Sequence, residues 1–305
     1  MNADSSLVSL PENAVKNVLE ECSVMEIKSV QIDIDERLAV LNVLHENNHR
    51  LIITYYNEED RCLIVTNNNG KFKNLRLEGH NFIDQYLAGL GIFMKTLSDQ
   101  EKVLDEIVLK LLCCSGQAER VEEILRRGKL LKTQKLCLFA DNEANLFSVL
   151  PFIDSSYLKS LNLSNGYGVA LSVEKIEHLE LWTTVERFET QSAIDHIKKL
   201  LHFPEVSVPS FNLKTENLMV IKNAFQSLQF KTRSLETGYE LSSDVSEVLG
   251  CEPIEETGPS GETMKKWYLK TGNPEKVLYV NIVSFRCNFQ IIDFSDVPTN
   301  VVVAE

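Results

Sequence analysis

His45-Glu46-Asn47-Asn48-His49 is a literal HExxH. On a helix that spacing puts both imidazoles on one face to hold zinc, with the glutamate as general base. This stretch does not have helical surroundings. Apolar alternation flanks it on both sides and two asparagines occupy its centre, which predicts a solvated hairpin turn. Ile52 and Tyr55 stand where the extended metzincin pattern needs glycine and histidine. A zinc hydrolase using His45, Glu46 and His49 is therefore the minor alternative. No catalytic, cofactor-binding or metal-binding residue is predicted.

The other spacings with chemical potential are weaker. Gly89-Leu90-Gly91 has Met94 in place of the third glycine of a dinucleotide fingerprint, and it follows a helix. Gly258-Pro259-Ser260-Gly261 departs from the spacing of a nucleophile elbow and lies in an acidic loop. Both are expected to be turns. The seven cysteines are Cys22, Cys62, Cys113, Cys114, Cys137, Cys251 and Cys287, and none of them forms a CxxC pair, so neither a zinc knuckle nor a disulfide framework is indicated. Cys113 and Cys114 are expected to be small core residues. His178 and His196 each follow an acid, Glu177 and Asp195, but adjacent side chains on a helix point apart.

Composition narrows the class further. The 305 residues are 44% hydrophobic and 25% charged, as in an ordinary globular protein. Lys and Arg number 31 against 44 Asp and Glu, a net charge of −13. Nucleic acid and anionic membrane surfaces both reward cations, so neither is expected as a partner. No apolar run approaches the roughly 18 residues of a membrane helix. With no signal-peptide pattern at Met1–Ser6, the expected location is cytoplasmic or nuclear.

The elements that would position functional side chains follow from periodicity. Residues 10–28 have one apolar helical face opened by Pro11. Val30, Ile32 and Ile34 alternate with polar residues, and β-rich runs at 38–44, 50–56 and 61–66 continue a meander, with a further strand at 73–78. Helices are predicted at 82–97, 100–112 and 117–127. From Gln134 strands alternate with helices. Their apolar anchors Leu136, Leu161, Phe188, Val206 and Phe230 are 25, 27, 18 and 24 residues apart. Intervening helices are predicted at 174–182, 192–201 and 215–228. Units of this size are the grammar of leucine-rich-repeat-like solenoids, without their asparagine ladder. Residues 251–263 read as an acidic loop, three strands between Trp267 and Phe294 would cap the sheet edge, and the tail from Ser295 is expected to fray.

The predicted fold is thus α/β: irregular leucine-rich-repeat-like strand–helix units with an N-terminal β-meander and a C-terminal antiparallel β cap. The expected domains are a helical segment at 1–28, the meander plus helices at 29–128, the repeat region at 129–294 and a tail at 295–305. Alternate residues of a strand face opposite ways. If Leu136, Leu161, Phe188 and Val206 face the helices, Lys135, Cys137, Phe139, Ser160, Asn162, Arg187, Glu189 and Ser207 face away. That mixed polar row suits a protein partner.

Particular motifs add a family resemblance. Leu150-Pro151-Phe152-Ile153-Asp154 before Tyr157-Leu158-Lys159-Ser160-Leu161, Leu179-Glu180-Leu181-Trp182, Ile194-Asp195-His196 with His202-Phe203, and Trp267-Tyr268-Leu269-Lys270 with Val277-Leu278 together resemble the FTH domain. That domain of unknown function accompanies F-boxes in an expanded nematode family. The likeness spans about 130–294 and extends more weakly over 29–128. Leu10-Pro11-Glu12 through Val15, Val18, Leu19 and Ile27 resembles the opening of an F-box, after which Lys28-Ser29-Val30 passes straight into a strand.

The resemblance implies a non-enzymatic substrate receptor, or a derivative of one, for a cullin-RING ubiquitin ligase. It would dock the Skp adaptor through Leu10, Pro11, Val15 and Leu19. A free-standing protein-binding scaffold is the other interaction reading. No cofactor is expected under either.

Overall fold

A computed structural model of the protein describes residues 27–58, 61–99, 102–112, 117–165, 170–194, 196–228, 231–238 and 245–304. Leu10, Pro11, Val15, Leu19, Cys22, Cys113, Cys114 and Phe230 lie outside the described residues. The chain divides into two compact units, one running as far as 166 with Leu179–Thr184 added, the other holding 167–178 and 185–305.

The strands of the first unit are β1 (Ile27–Ile34), β2 (Leu38–His45), β3 (Arg50–Glu58), β4 (Arg61–Asn68), β5 (Lys71–Glu78), β6 (Leu104–Leu111), β7 (Thr133–Ala140) and β8 (Ser160–Asn165). They lie in the order β8-β7-β6-β1-β2-β3-β4-β5. β1 to β5 form an antiparallel meander, whereas β1, β6, β7 and β8 are parallel neighbours. Local chemistry closes the hairpins. Asp35 Oδ1 accepts the Arg37 and Leu38 N–H groups at 2.7 and 2.9 Å. Positive φ falls on Asn48 (62°), Asn69 (51°) and Gly70 (87°), residue types that tolerate the left-handed region.

Helices α1 (Phe82–Asp99), α2 (Gln117–Arg126), α3 (Glu143–Val149) and α4 (Leu181–Thr184) belong to the same unit. Asn81 Oδ1 caps α1 by accepting the Ile83 N–H at 2.9 Å, and Asn142 caps α3 through the Asn145 N–H at 3.0 Å. α1 packs on β2, β3 and β4, α3 packs on β7 and β8, and α2 packs against both helices. The strands send Leu41, Val43, Leu51, Ile53, Cys62 and Ile64 towards that layer, all buried. Tyr55 meets Tyr86 of α1 edge-on, with ring centroids 5.3 Å apart. Each large apolar side chain buried this way stabilises by about 1.5–3 kcal/mol.

The segment predicted as a helix at 100–112 is instead β6. Val103, Leu104, Ile107, Val108, Leu111 and Leu112 fit a helical stripe, but Leu109 does not. It is buried together with Ile107 and Leu111 in alternation, because β6 is flanked by β1 and β7. β1 also begins earlier than expected, at Ile27, so Ile27 and Lys28 are strand rather than helix. The Leu150–Phe152 stretch forms a single 3-10 turn after α3, with proline placed where no N–H is needed. Extended Ile153 then pairs beside Leu131: Leu131 N–H donates to Phe152 O at 2.8 Å and Asp154 N–H to Leu131 O at 2.9 Å.

The second unit contains β9 (Ala170–Leu171), β10 (Arg187–Glu189), β11 (Ala193–Ile194), β12 (Glu205–Asn212), α5 (Thr215–Ser227), β13 (Ser234–Gly238) and α6 (Val245–Leu249). It continues with β14 (Ile254–Thr257), β15 (Thr263–Lys270), β16 (Lys276–Val283) and β17 (Arg286–Asp293). Its sheet runs β10-β12-β13-β17-β16-β15-β14, and β9 pairs separately with β11. β10, β12 and β13 are parallel, and β17 joins β13 antiparallel. One register row crosses six strands: Phe188, Val206, Leu235, Phe289, Val280 and Trp267, none more than 3% exposed. Phe225 of α5 packs against Phe289, with centroids 6.1 Å apart.

Four further expectations fail. The predicted helix at 192–201 is the short strand β11 followed by a 3-10 turn, Ile197–Leu200. That at 174–182 reduces to a 3-10 turn at Val173–Lys175, with α4 starting only at Leu181. The supposed loop 251–263 holds β14, which pairs with β15. The tail is also fixed: Ala304 N–H donates to Tyr268 O at 2.9 Å, and Lys270 N–H to Ala304 O at 2.8 Å. β14 covers β15 only as far as Lys266, so the tail takes the edge beyond it. As expected, β15 to β17 extend the sheet beyond β13.

Candidate interaction surface

The helices of the first unit cover one face of its sheet. On the opposite face, register partners form rows across the strands. Val65, Thr54, Val40, Asp33, Lys110 and Phe139 succeed one another on β4, β3, β2, β1, β6 and β7, all half-buried. The neighbouring row runs from Asn67 through Ile52, Asn42, Gln31, Val108 and Cys137 to Asn162 of β8.

The polar members of these rows bond to one another. Arg50 Nε donates to Asn42 Oδ1 at 2.9 Å, Asn42 Nδ2 to Gln31 Oε1 at 3.3 Å and Gln31 Nε2 to Asp33 Oδ2 at 2.8 Å. Lys110 Nζ reaches the same Asp33 oxygen at 3.3 Å. Further along, Lys135 Nζ lies 2.7 Å from Glu106 Oε1, which also accepts from Cys137 Sγ at 3.7 Å. The face is thus a mixture of apolar groups and mutually fixed polar groups, about as apolar as a protein contact need be. Fixing the polar groups in advance lowers the entropy cost of binding.

Lys135, Cys137, Phe139 and Asn162 all lie on this face, with Ser160 beside Lys135. Cys137 is only 6% exposed, so Phe139 and Asn162 offer the contact area around it. The remaining three predicted residues belong to the second unit. There Arg187 Nη2 contacts Glu189 Oε1 at 2.5 Å and Nη1 lies 3.5 Å from Glu205 Oε2, while Ser207 Oγ donates to Glu236 Oε2 at 3.3 Å. Arg286 holds the other Glu236 oxygen at 2.9 Å.

On the same face of that unit, Tyr268 and Tyr279 pack with centroids 5.1 Å apart. Burial raises the pKa of both phenols, and a hydrogen bond from Lys266 to Glu256 raises that of the ammonium group. Among the described residues, each unit therefore presents its own face without a helix layer.

Sequence reasoning missed several contributors. Glu106, Val108 and Lys110 were hidden because 100–112 looks helical. Gln31, Asp33 and Asn42 were visible in the alternation with Val30, Ile32 and Leu41, which also marks them as outward-facing. Glu236 and Tyr279 needed knowledge of which strands become neighbours.

The HExxH stretch does form a hairpin turn. His45 N–H donates to His49 O at 2.9 Å, Asn48 N–H to His45 O at 3.0 Å and His49 N–H to Asn47 Oδ1 at 3.0 Å. It is not solvated throughout, because His45 ends β2 on the helix-covered face and is fully buried. The two imidazole centroids are 5.7 Å apart in an edge-on contact, and Glu46 pairs with Lys102. Among the described residues no group of three His, Cys, Asp or Glu side chains is placed to hold a metal ion. Gly89-Leu90-Gly91 lies within α1 rather than in a turn. Gly258–Gly261 makes the β14–β15 turn, with Gly261 N–H donating to Gly258 O at 3.0 Å. Among the described residues no helix is long and apolar enough to cross a membrane.

No curated protein and no solved structure matches the chain. Residues 116–250, which take in α2 through α6, match the model of the FTH domain, and over that stretch the chain is similar to FTH-domain proteins.

Proposed function

We propose that this chain is a non-enzymatic protein-interaction module and that the uncovered sheet face takes the partner. The observation carrying this is the pair of register rows from β4 to β8, in which Val65, Val40, Ile52, Val108 and Phe139 alternate with polar groups already bonded to one another. The polar groups there are held in structural pairs rather than aimed at a common point, as reaction chemistry would need. The FTH match supports the same reading, since a domain that accompanies F-boxes suggests a protein-interaction role. The parallel runs β6-β7-β8 and β10-β12-β13, each linked by crossovers, favour an irregular repeat of the leucine-rich type.

More specifically, the module serves as an F-box-type substrate receptor for a cullin-RING ubiquitin ligase, or derives from one, in cytoplasm or nucleus. Leu10, Pro11, Val15 and Leu19 would then meet the Skp adaptor. A pull-down of the adaptor at micromolar protein tests that link. Retention that Leu10→Asp abolishes supports it, and no retention favours a free-standing scaffold using the same face.

A further inference from the structure

We propose that the outer edge of β5 receives an extended acidic segment of a partner protein by strand addition. Among the described residues β5 pairs only with β4, and it does so over eight residues without a bulge or proline. The Asn69-Gly70 turn joins them as a two-residue hairpin with positive φ at both positions, so Asn68 and Lys71 form the closing hydrogen-bonded pair. Alternation from that pair points the N–H and C=O groups of Phe72, Asn74, Arg76 and Glu78 away from β4. Consistent with this, the Lys73 carbonyl faces β4 and accepts from Thr66 Oγ1 at 3.4 Å.

An edge of this length invites another strand unless something blunts it. Here only charge is available to do so, and three of the four charged residues of β5 are basic. Lys71, Lys73 and Arg76 are exposed and have no acidic partner among the described residues, while Glu78 lies 3.8 Å from Arg61. In a chain of net charge −13, this is a local basic strip. It repels a basic strand and a second β5 alike, and it attracts an acidic one. Phe72, 68% exposed, adds an apolar contact at the same edge. This contact lies at the far end of the sheet from Lys135 and Asn162, with β6, β1, β2, β3 and β4 between β7 and β5, and Phe72 extends the row of Asn67 to that edge. It needs no ligase link.

Fluorescence anisotropy of the full chain with a labelled eight-residue Glu-Val repeat peptide tests the assignment. The acidic peptide should bind and a Lys-Val peptide should not. Lys73→Glu combined with Arg76→Glu should weaken binding about tenfold or more, equivalent to at least ~1.4 kcal/mol. Both positions are exposed, so circular dichroism should stay unchanged. Methylating alternate peptide amides keeps charge and side chains but removes one row of donors. One methylation register should bind like the parent and the other should lose most of its affinity. No binding at millimolar protein, or equal binding of both registers, overturns the proposal. So does concentration-dependent self-association that the double variant abolishes, since a second copy would then occupy the edge.

Discussion

Lys110 of β6 and Asp33 of β1 face each other as register partners, with Nζ 3.3 Å from Oδ2. The pair joins the parallel strands to the meander on the uncovered face, and Gln31 donates to the same carboxylate oxygen. The side chains are 36% and 24% exposed, so the pair contributes little to folding, at most about 1 kcal/mol. Asp33→Ala should therefore leave the urea midpoint nearly unchanged while reducing partner retention. A loss above about 3 kcal/mol would make the network a structural one.

Leu109 separates the two accounts of residues 104–111. In the strand it is buried at 1% exposure, whereas on the alternative helix it would lie off the apolar stripe. Leu109→Ala should cost about 2–5 kcal/mol in chemical denaturation. A cost near zero would favour the helix.

The Cys62 thiol is pushed up to about 11, first by burial and then by the Glu58 carboxylate. Below its ordinary value of 9.0 the thiol is protonated in both folded and unfolded chains, so its contribution to stability is fully present. As pH rises the unfolded chain ionises first, and that contribution is lost by about pH 11. Cys287 and Tyr55 are also raised by burial and act in the same direction. Cys62→Val should make the alkaline fall in stability shallower. Peptide mapping after alkylation at pH 8 should show Cys62 and Cys287 protected until the protein is denatured.

Ala304 bonds to Tyr268 and Lys270 on the stretch of β15 that β14 does not cover. Removing residues 298–305 should speed hydrogen exchange at the Lys270 amide and cost about 1 kcal/mol. Unchanged exchange there would contradict the docked tail.

The turn geometry at 45–49 leads to a metal prediction. Purified protein should carry no stoichiometric zinc, and His45→Ala should leave its metal content unchanged. Zinc present at one equivalent and lost in that variant would revive the hydrolase reading.

Legibility in the sequence followed the strength of the local signals. β1 to β4 were readable because Val30, Ile32, Leu41 and Ile53 alternate with polar residues and asparagines mark the turns. α5 was readable from Leu218, Ile221 and Phe225 on one face. Segment 100–112 misled because a strand between two neighbours carries apolar residues on both sides, which mimics a helical stripe. Ala193–Leu200 misled because Ile194 and Ile197 anchor a bridge and a 3-10 turn, each too short to show a period. On the surface, alternation alone is enough to put Lys135, Cys137, Phe139 and Asn162 on one side of the sheet, as the strand register has them. The bonds from Glu106 and Asp33 depend on β1, β6 and β7 being adjacent, which no local pattern shows.

The uncovered face of the first unit is tested most directly by quantitative native co-purification of the tagged full chain against Lys110→Glu combined with Asn162→Arg, both checked for unchanged melting. The account predicts that the specific partners of the wild-type chain are depleted about tenfold or more in the variant, which two charge changes in the middle of an interface can produce. Recovery of the same partners in the same amounts would contradict it.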